Sequence, residues 1–93
     1  MKKRILLIDD DALVLKTVSN LLEAKGYEVS ACKTGVEAIN AFKNQKFDLV
    51  ITDVRMPAQD GARTIKLIRE CEKVLGSSRT PIVVITGYAS EDV

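Results

Sequence analysis

Residues 5–11, Ile5-Leu6-Leu7-Ile8-Asp9-Asp10-Asp11, decide the fold, because four aliphatic residues run directly into three aspartates. A short unbroken apolar run is typical of a strand that is buried on both faces of a parallel sheet. Leu49-Val50-Ile51 and Ile82-Val83-Val84-Ile85 repeat this pattern, the former ending near Asp53 and the latter at Thr86. The sequence therefore predicts buried parallel strands with polar residues at their carboxyl ends.

Helical patterns separate these apolar runs. The first helix is expected from about Ala12 to Lys25, where Gly26 suits a left-handed cap. Thr34 and Glu37 form a capping box for a second helix, and Asp60 is the expected cap of a third. The apolar residues at helical spacing, expected to face the core, are Val14, Val18, Leu21 and Leu22 in the first helix, Val36, Ile39 and Phe42 in the second, and Ile65, Ile68, Cys71 and Leu75 in the third.

The order of elements predicts an α/β fold. Tyr27–Ala31 alternates apolar and polar residues, which is typical of a strand near a sheet edge. Alternating strands and helices favour a doubly wound parallel sheet with right-handed crossovers. We expect the strand order 2-1-3-4, with the segment from Gly87 onward beginning a fourth helix.

Composition excludes several classes of function. The net charge of +1 argues against a nucleic-acid-binding domain, which normally carries a basic surplus. The absence of His removes the usual general base and the commonest metal ligand. Cys32 and Cys71 lack zinc-site spacing and are expected to be reduced packing residues. The apolar run at the N-terminus is too short for a secretory signal, so we expect a soluble cytoplasmic protein with no membrane partner.

Acidic residues follow the strands that are predicted to be neighbours. Ligands bind outside the carboxyl ends of parallel strands, where the direction of winding reverses. Asp9, Asp10 and Asp53 should meet at that edge, with Thr86 and Gly87 beside them. Converging carboxylates repel one another unless a cation is present. Because the sequence has no His and no suitable Cys cluster, we expect a metal that takes oxygen ligands, which points to Mg2+. One carboxylate could then act as a nucleophile toward phosphorus.

These motifs together resemble a known family. Ile8-Asp9-Asp10-Asp11, Asp53-Val54-Arg55-Met56-Pro57 with Asp60-Gly61 after it, and Ile85-Thr86-Gly87 are similar to the receiver domain of bacterial response regulators in two-component signalling. Three ordered motifs at strand ends are a specific signal, whereas a lone aspartate pair would be weak. The resemblance implies a flavodoxin-like sheet and a phosphoacceptor module.

The resemblance also implies the metal ligands and the phosphoacceptor. Asp53 would accept a phosphoryl group from the phosphohistidine of a sensor histidine kinase. Asp10 would bind Mg2+ directly, and Asp9 would assist through water. Asp53 would complete the carboxylate set, and Arg55 would supply its backbone carbonyl.

Further residues would handle the phosphoryl group, again by resemblance. Thr86 would bind it and shift on its arrival, with the backbone N–H of Gly87 beside it. Arg55 and Tyr88 stand two residues after the phosphoacceptor and the switch threonine, where side chains of this family tune the phosphoryl lifetime. The domain is not expected to be an enzyme beyond catalysing its own phosphorylation and dephosphorylation.

The sequence departs from the family pattern after residue 93. A complete receiver continues through a fifth strand and a fifth helix, and a lysine at the end of that strand has no counterpart here. Residues 1–93 are therefore expected to form an incomplete receiver that ends in the first turn of the fourth helix. The Ile82–Ile85 edge would then be exposed and would favour self-association or a domain swap.

Two alternative functions remain open at this stage. One is a truncated receiver that binds metal and self-associates without switching. The other is a phosphohydrolase with an aspartyl-phosphate intermediate. That class usually carries a second Asp two residues after its nucleophile, where this chain has Arg55.

Overall fold

The computed structural model describes residues 2–53, 61–76 and 78–85. Within these residues, no helix is long and apolar enough to cross a membrane. The predicted Asp60 cap and the predicted start of a fourth helix lie outside the described residues. The elements, in chain order, are β1 (Arg4–Ile8), α1 (Ala12–Ala24), β2 (Glu28–Cys32), α2 (Gly35–Asn44), β3 (Leu49–Asp53), α3 (Gly61–Leu75) and β4 (Ile82–Ile85).

The described strands form one parallel sheet in the order β2-β1-β3-β4. This confirms the predicted strand order and the doubly wound architecture. The register pairs Leu6 with Val50 and Val50 with Ile82. Each strand therefore ends at the same edge of the sheet as its neighbours.

Local hydrogen bonds explain where the helices begin. Thr34 caps α2 by accepting the Glu37 N–H at 3.1 Å. Glu37 Oε1 in turn accepts the N–H of Lys33 at 2.9 Å, one residue before the cap rather than at the cap itself. Gly26 follows α1 with φ +97°, a left-handed conformation that side chains with a Cβ rarely adopt.

Alternate residues of the central strands build the main core under α2 and α3. Leu6 and Ile8 on β1 and Val50 on β3 are fully or almost fully buried. They pack with Phe42 of α2 and Ile68 of α3 in one hydrophobic cluster. Burial at this density supplies most of the favourable free energy of a small domain.

The predicted inward stripe of α1 is correct at Val18 and Leu22 and wrong at Val14 and Leu21. Leu15 is the buried residue of this helix, whereas Val14 and Leu21 are exposed. Val18 and Leu22 are half-buried as expected. Several apolar residues occupy more than one side of this helix, so periodicity alone did not select the face that meets the sheet.

The other two helices also bury residues that were not predicted. In α2, Ala38 is buried, whereas Val36 is 58% exposed in the first turn. In α3, Thr64 and Glu72 are buried, whereas Leu75 is 54% exposed. A threonine and a glutamate are usually polar surface residues, so hydrophobicity gave no signal for their burial.

Glu72 is buried because two hydrogen-bond donors satisfy its carboxylate. Arg69 Nη1 lies 3.0 and 3.2 Å from the two carboxylate oxygens, and it also donates to the backbone carbonyl of Thr80 at 2.8 Å. The N–H of Thr80 donates to Glu72 Oε2. These hydrogen bonds hold the connection that precedes β4 against α3.

The hydrogen bonds of Glu72 set the direction of its pKa. Burial alone raises the pKa of this carboxyl, but the bonds from Thr80 and Arg69 outweigh burial and hold the pKa below its ordinary value of 4.5. A lowered folded-state pKa stabilises the fold above pH 4.5. That contribution disappears as the pH falls through the folded-state value.

We expect Glu72→Gln to lower the free energy of unfolding by about 1–3 kcal/mol, because Arg69 loses its buried anionic partner. Urea unfolding at pH 7 measures the loss, and the exposed Glu70→Gln on the same helix is the matched control. The difference between Glu72→Gln and wild type should shrink below pH 4.5. Equal stability of the two proteins at pH 7 would contradict this account.

Candidate functional site

Three carboxylates meet at the carboxyl end of the sheet. Asp9 and Asp10 directly follow β1, and Asp53 is the last residue of β3. Parallel pairing of Ile8 with Thr52 places Asp9 beside Asp53. One carboxylate oxygen from each of the three aspartates lies within 4.8 Å of the other two. The structure therefore brings together the acidic residues that the sequence analysis selected.

Asp11 organises this cluster rather than joining it. Its side chain caps α1 by accepting the N–H groups of Leu13 and Val14 at 2.9 and 3.3 Å. Its backbone N–H donates to Asp9 Oδ1 at 2.9 Å. The N–H of Asp9 donates to the carbonyl of Cys32 at 3.1 Å, so the backbone of Asp9 is tied to β2 as well.

Burial and the neighbouring carboxylates both raise the pKa of Asp9. Burial raises this pKa most, and the negative charges of Asp53, Asp10 and Asp11 raise it further. The hydrogen bond from the Asp11 N–H opposes them, yet the pKa stays above its ordinary value of 3.8. A bound cation would relieve this repulsion.

The donor set fits Mg2+. All three side chains offer carboxylate oxygens, the hard ligands that Mg2+ prefers. Oxygens within 4.8 Å of one another are close enough that Asp9, Asp10 and Asp53 would hold one such ion, directly or with a residue bound through water.

Several predicted site residues lie outside the described part of the chain. They are Arg55, Thr86, Gly87 and Tyr88. Their contributions to metal binding, phosphoryl binding and phosphoryl lifetime therefore stay predictions.

Two apolar side chains are exposed near the acidic cluster: Leu13, which was not singled out from the sequence, and Val36, which was expected in the core. Leu13, in the first turn of α1, is 72% exposed, and Val36, in the first turn of α2, is 58% exposed. Helices that follow parallel strands begin at the carboxyl edge of the sheet, so both residues lie at the same edge of the sheet as the cluster.

The fold and the acidic site define a parallel α/β domain with a carboxylate cluster at the carboxyl edge of its sheet. A family model described as the response regulator receiver domain matches residues 5–93. The chain belongs to the response regulator receiver domain family.

Individual relatives agree with this assignment. The chain is 42% identical over 86 residues to the sensor protein GacS of Pseudomonas syringae pv. syringae, covering 92% of this chain and 10% of that protein. It thus spans only about a tenth of that relative's length. Among solved structures, the chemotaxis response regulator CheY4 of Vibrio cholerae matches with a TM-score of 0.83 and 31% identity, over 99% of this chain and 74% of that one. The response regulator TrrA of Thermotoga maritima, in complex with Mg2+–BeF, matches with a TM-score of 0.80 and 32% identity, over 95% and 72%.

We expect Asp53→Asn to have opposite effects on stability with and without Mg2+. Without metal, the variant should be more stable than wild type, because one charge that repels Asp9 is removed. With Mg2+ at 100 times its dissociation constant, wild type should gain about 2.7 kcal/mol, and the variant should gain much less. Thermal unfolding with EDTA or with Mg2+ measures both effects.

Glu70→Gln is the control for this comparison, because it removes an exposed carboxylate away from the cluster. Its gain from Mg2+ should equal that of wild type. An equal gain in Asp53→Asn would show that Asp53 does not share the ion with Asp9 and Asp10.

Proposed function

We propose that this chain is the phosphoacceptor module of a two-component system, accepting a phosphoryl group on Asp53 from the phosphohistidine of a sensor histidine kinase. The observation that carries the proposal is the approach of three carboxylates within 4.8 Å at the carboxyl edge of the sheet. Membership of the receiver family and the Mg2+–BeF complex of TrrA support it.

The proposed metal site is built from Asp9, Asp10, Asp53 and the backbone carbonyl of Arg55. When bound, Mg2+ supplies positive charge that offsets the charge of the incoming phosphoryl group. The N–H of Asp9 donates to the Cys32 carbonyl, and the Asp9 carboxylate accepts the N–H of Asp11. Together these two hydrogen bonds fix the Asp9 carboxylate in place. Asp53 is held at the end of a paired strand.

The proposed transfer is a nucleophilic displacement. A carboxylate oxygen of Asp53 forms a bond to phosphorus while the bond between phosphorus and the kinase's histidine nitrogen breaks. The bonding electron pair returns to the imidazole, which takes up a proton. The hydroxyl of Thr86 and the N–H of Gly87 would hold phosphoryl oxygens, and Arg55 and Tyr88 would set how long the product lasts.

The proposed partner is a histidine kinase that meets the domain in the cytoplasm. Leu13 and Val36 offer it exposed apolar contacts at the edge that carries Asp53. In this proposal the domain turns over no substrate other than its own phosphoryl group.

A second proposed partner is another copy of the chain, bound at β4. Among the described strands, β4 pairs only with β3. Val83, Val84 and Ile85 are 47, 43 and 45% exposed. An apolar strand with an unpaired edge readily adds another strand, so this edge favours self-association or a domain swap.

We expect acetyl phosphate with Mg2+ to add one phosphoryl group to the protein, because the phosphorus is delivered next to Asp53. Intact-mass spectrometry measures the product, which should be absent in Asp53→Asn and with EDTA. The control Glu70→Gln should be modified like wild type. Mg2+ binding without modification would instead favour a receiver that does not switch, and sustained hydrolysis of phosphate esters would favour a phosphohydrolase.

Self-association through β4 has its own test. Sedimentation velocity should show a dimer or larger species that increases with protein concentration. Val84→Lys should shift the protein toward monomer, since a lysine on an edge strand opposes pairing. Val74→Lys, at a position that is 86% exposed on α3, is the control and should leave association unchanged. A compact wild-type monomer at high concentration would contradict the proposal.

A further inference from the structure

A cleft of about 650 Å³ opens at the end of the sheet opposite the acidic cluster. It lies between the turn that precedes β3 and the connection that precedes β4. Its volume falls within the range of small-molecule sites, about 300–1,000 Å³. This cleft therefore has the size of a ligand site and shares no residue with the carboxylate cluster.

The rim of the cleft is basic. Lys43, Lys46 and Arg79 line it, and within residues 2–53, 61–76 and 78–85 their side chains form no ion pair. Asp48 is the acidic residue among the described lining residues, and its Oδ2 accepts the backbone N–H of Arg4 at 2.8 Å. Three cations against one carboxylate leave an excess positive charge that favours an anion.

Packed and hydrogen-bonded residues form the walls of the cleft. Leu75 and Pro81 give it exposed apolar surface, whereas Phe42 and Phe47 are almost fully buried, with ring centroids 6.3 Å apart and planes 19° apart. Thr80, another lining residue, is hydrogen-bonded to Glu72 and Arg69 through its N–H and carbonyl. Arg69 also pairs with the Glu72 carboxylate, so the charge of Glu72 does not cancel the basic rim. A site that is formed before binding loses less entropy when a ligand enters.

We propose that this cleft binds a small organic phosphate, no larger than a mononucleotide. A phosphate group suits two ammonium groups and a guanidinium. The adjoining apolar wall suits a compact organic portion.

The test uses AMP and inorganic pyrophosphate as probes, with adenosine as the uncharged comparison. All titrations are made in Asp53→Asn with EDTA, so that the acidic site and Mg2+ play no part. Isothermal titration calorimetry at low salt should detect AMP, and NMR should show shifted amide signals for residues 43–48 and 79–80. Affinity should fall with added salt, because the contacts are between exposed charges.

The decisive variant replaces the three basic side chains: Lys43→Gln, Lys46→Gln and Arg79→Gln. The affinity of this variant for AMP should be at least about tenfold weaker than that of the parent protein, since three charge contacts are lost together. A matched triple variant, Lys16→Gln, Lys25→Gln and Lys66→Gln, removes the same charge elsewhere and should bind AMP unchanged. All six side chains are exposed, so both variants should fold, which circular dichroism verifies.

Three results would overturn the proposal. One is the absence of AMP and pyrophosphate binding at millimolar concentration. Another is an equal loss of affinity in the two triple variants, which would indicate nonspecific attraction. The last is adenosine binding as tightly as AMP, which would show that the cleft does not recognise the phosphate. Because every titration uses Asp53→Asn, the outcome is independent of phosphoryl transfer.

Discussion

Parallel pairing between β1 and β3 is the constraint on which the site depends. Two strands that run in the same direction deliver their last residues to the same place, so the pairing of Ile8 with Thr52 forces Asp9 toward Asp53. The carboxylates repel one another, and burial together with this repulsion holds the pKa of Asp9 above its ordinary value. The buried sheet holds together groups that would separate in a flexible chain, and a cation bound there would offset the cost of bringing them together.

The three consecutive aspartates have two different roles, because only one of them caps the N-terminal turn of α1. Asp11 turns its carboxylate toward the helix N–H groups, where negative charge is favourable. Asp9 and Asp10 remain with Asp53 in the carboxylate cluster. The same short segment therefore begins a helix and supplies the site, and the bond from the Asp11 N–H to Asp9 links these two tasks.

Strand order and the meeting of Asp9, Asp10 and Asp53 could be predicted from the sequence, because buried strands leave a strong apolar signal and their ends carry the acids. Helix faces were harder to predict. Val14 and Leu21 were expected inside and are exposed, since α1 has apolar residues on several sides. Glu72 was not expected inside, because its burial depends on Arg69 and the Thr80 backbone, a contact across a loop that no local pattern encodes. The basic cleft likewise joins residues from two distant turns.

Paramagnetic broadening by Mn2+, which binds the same oxygen ligands as Mg2+, tests the shared metal site most directly. The account predicts that the amide signals of Asp9, Asp10, Asp11 and Asp53 broaden together at the lowest Mn2+ concentration, and that added Mg2+ restores them. Broadening at the end of β1 without broadening at Asp53, or broadening first at another part of the chain, would show that the carboxylates do not form one site.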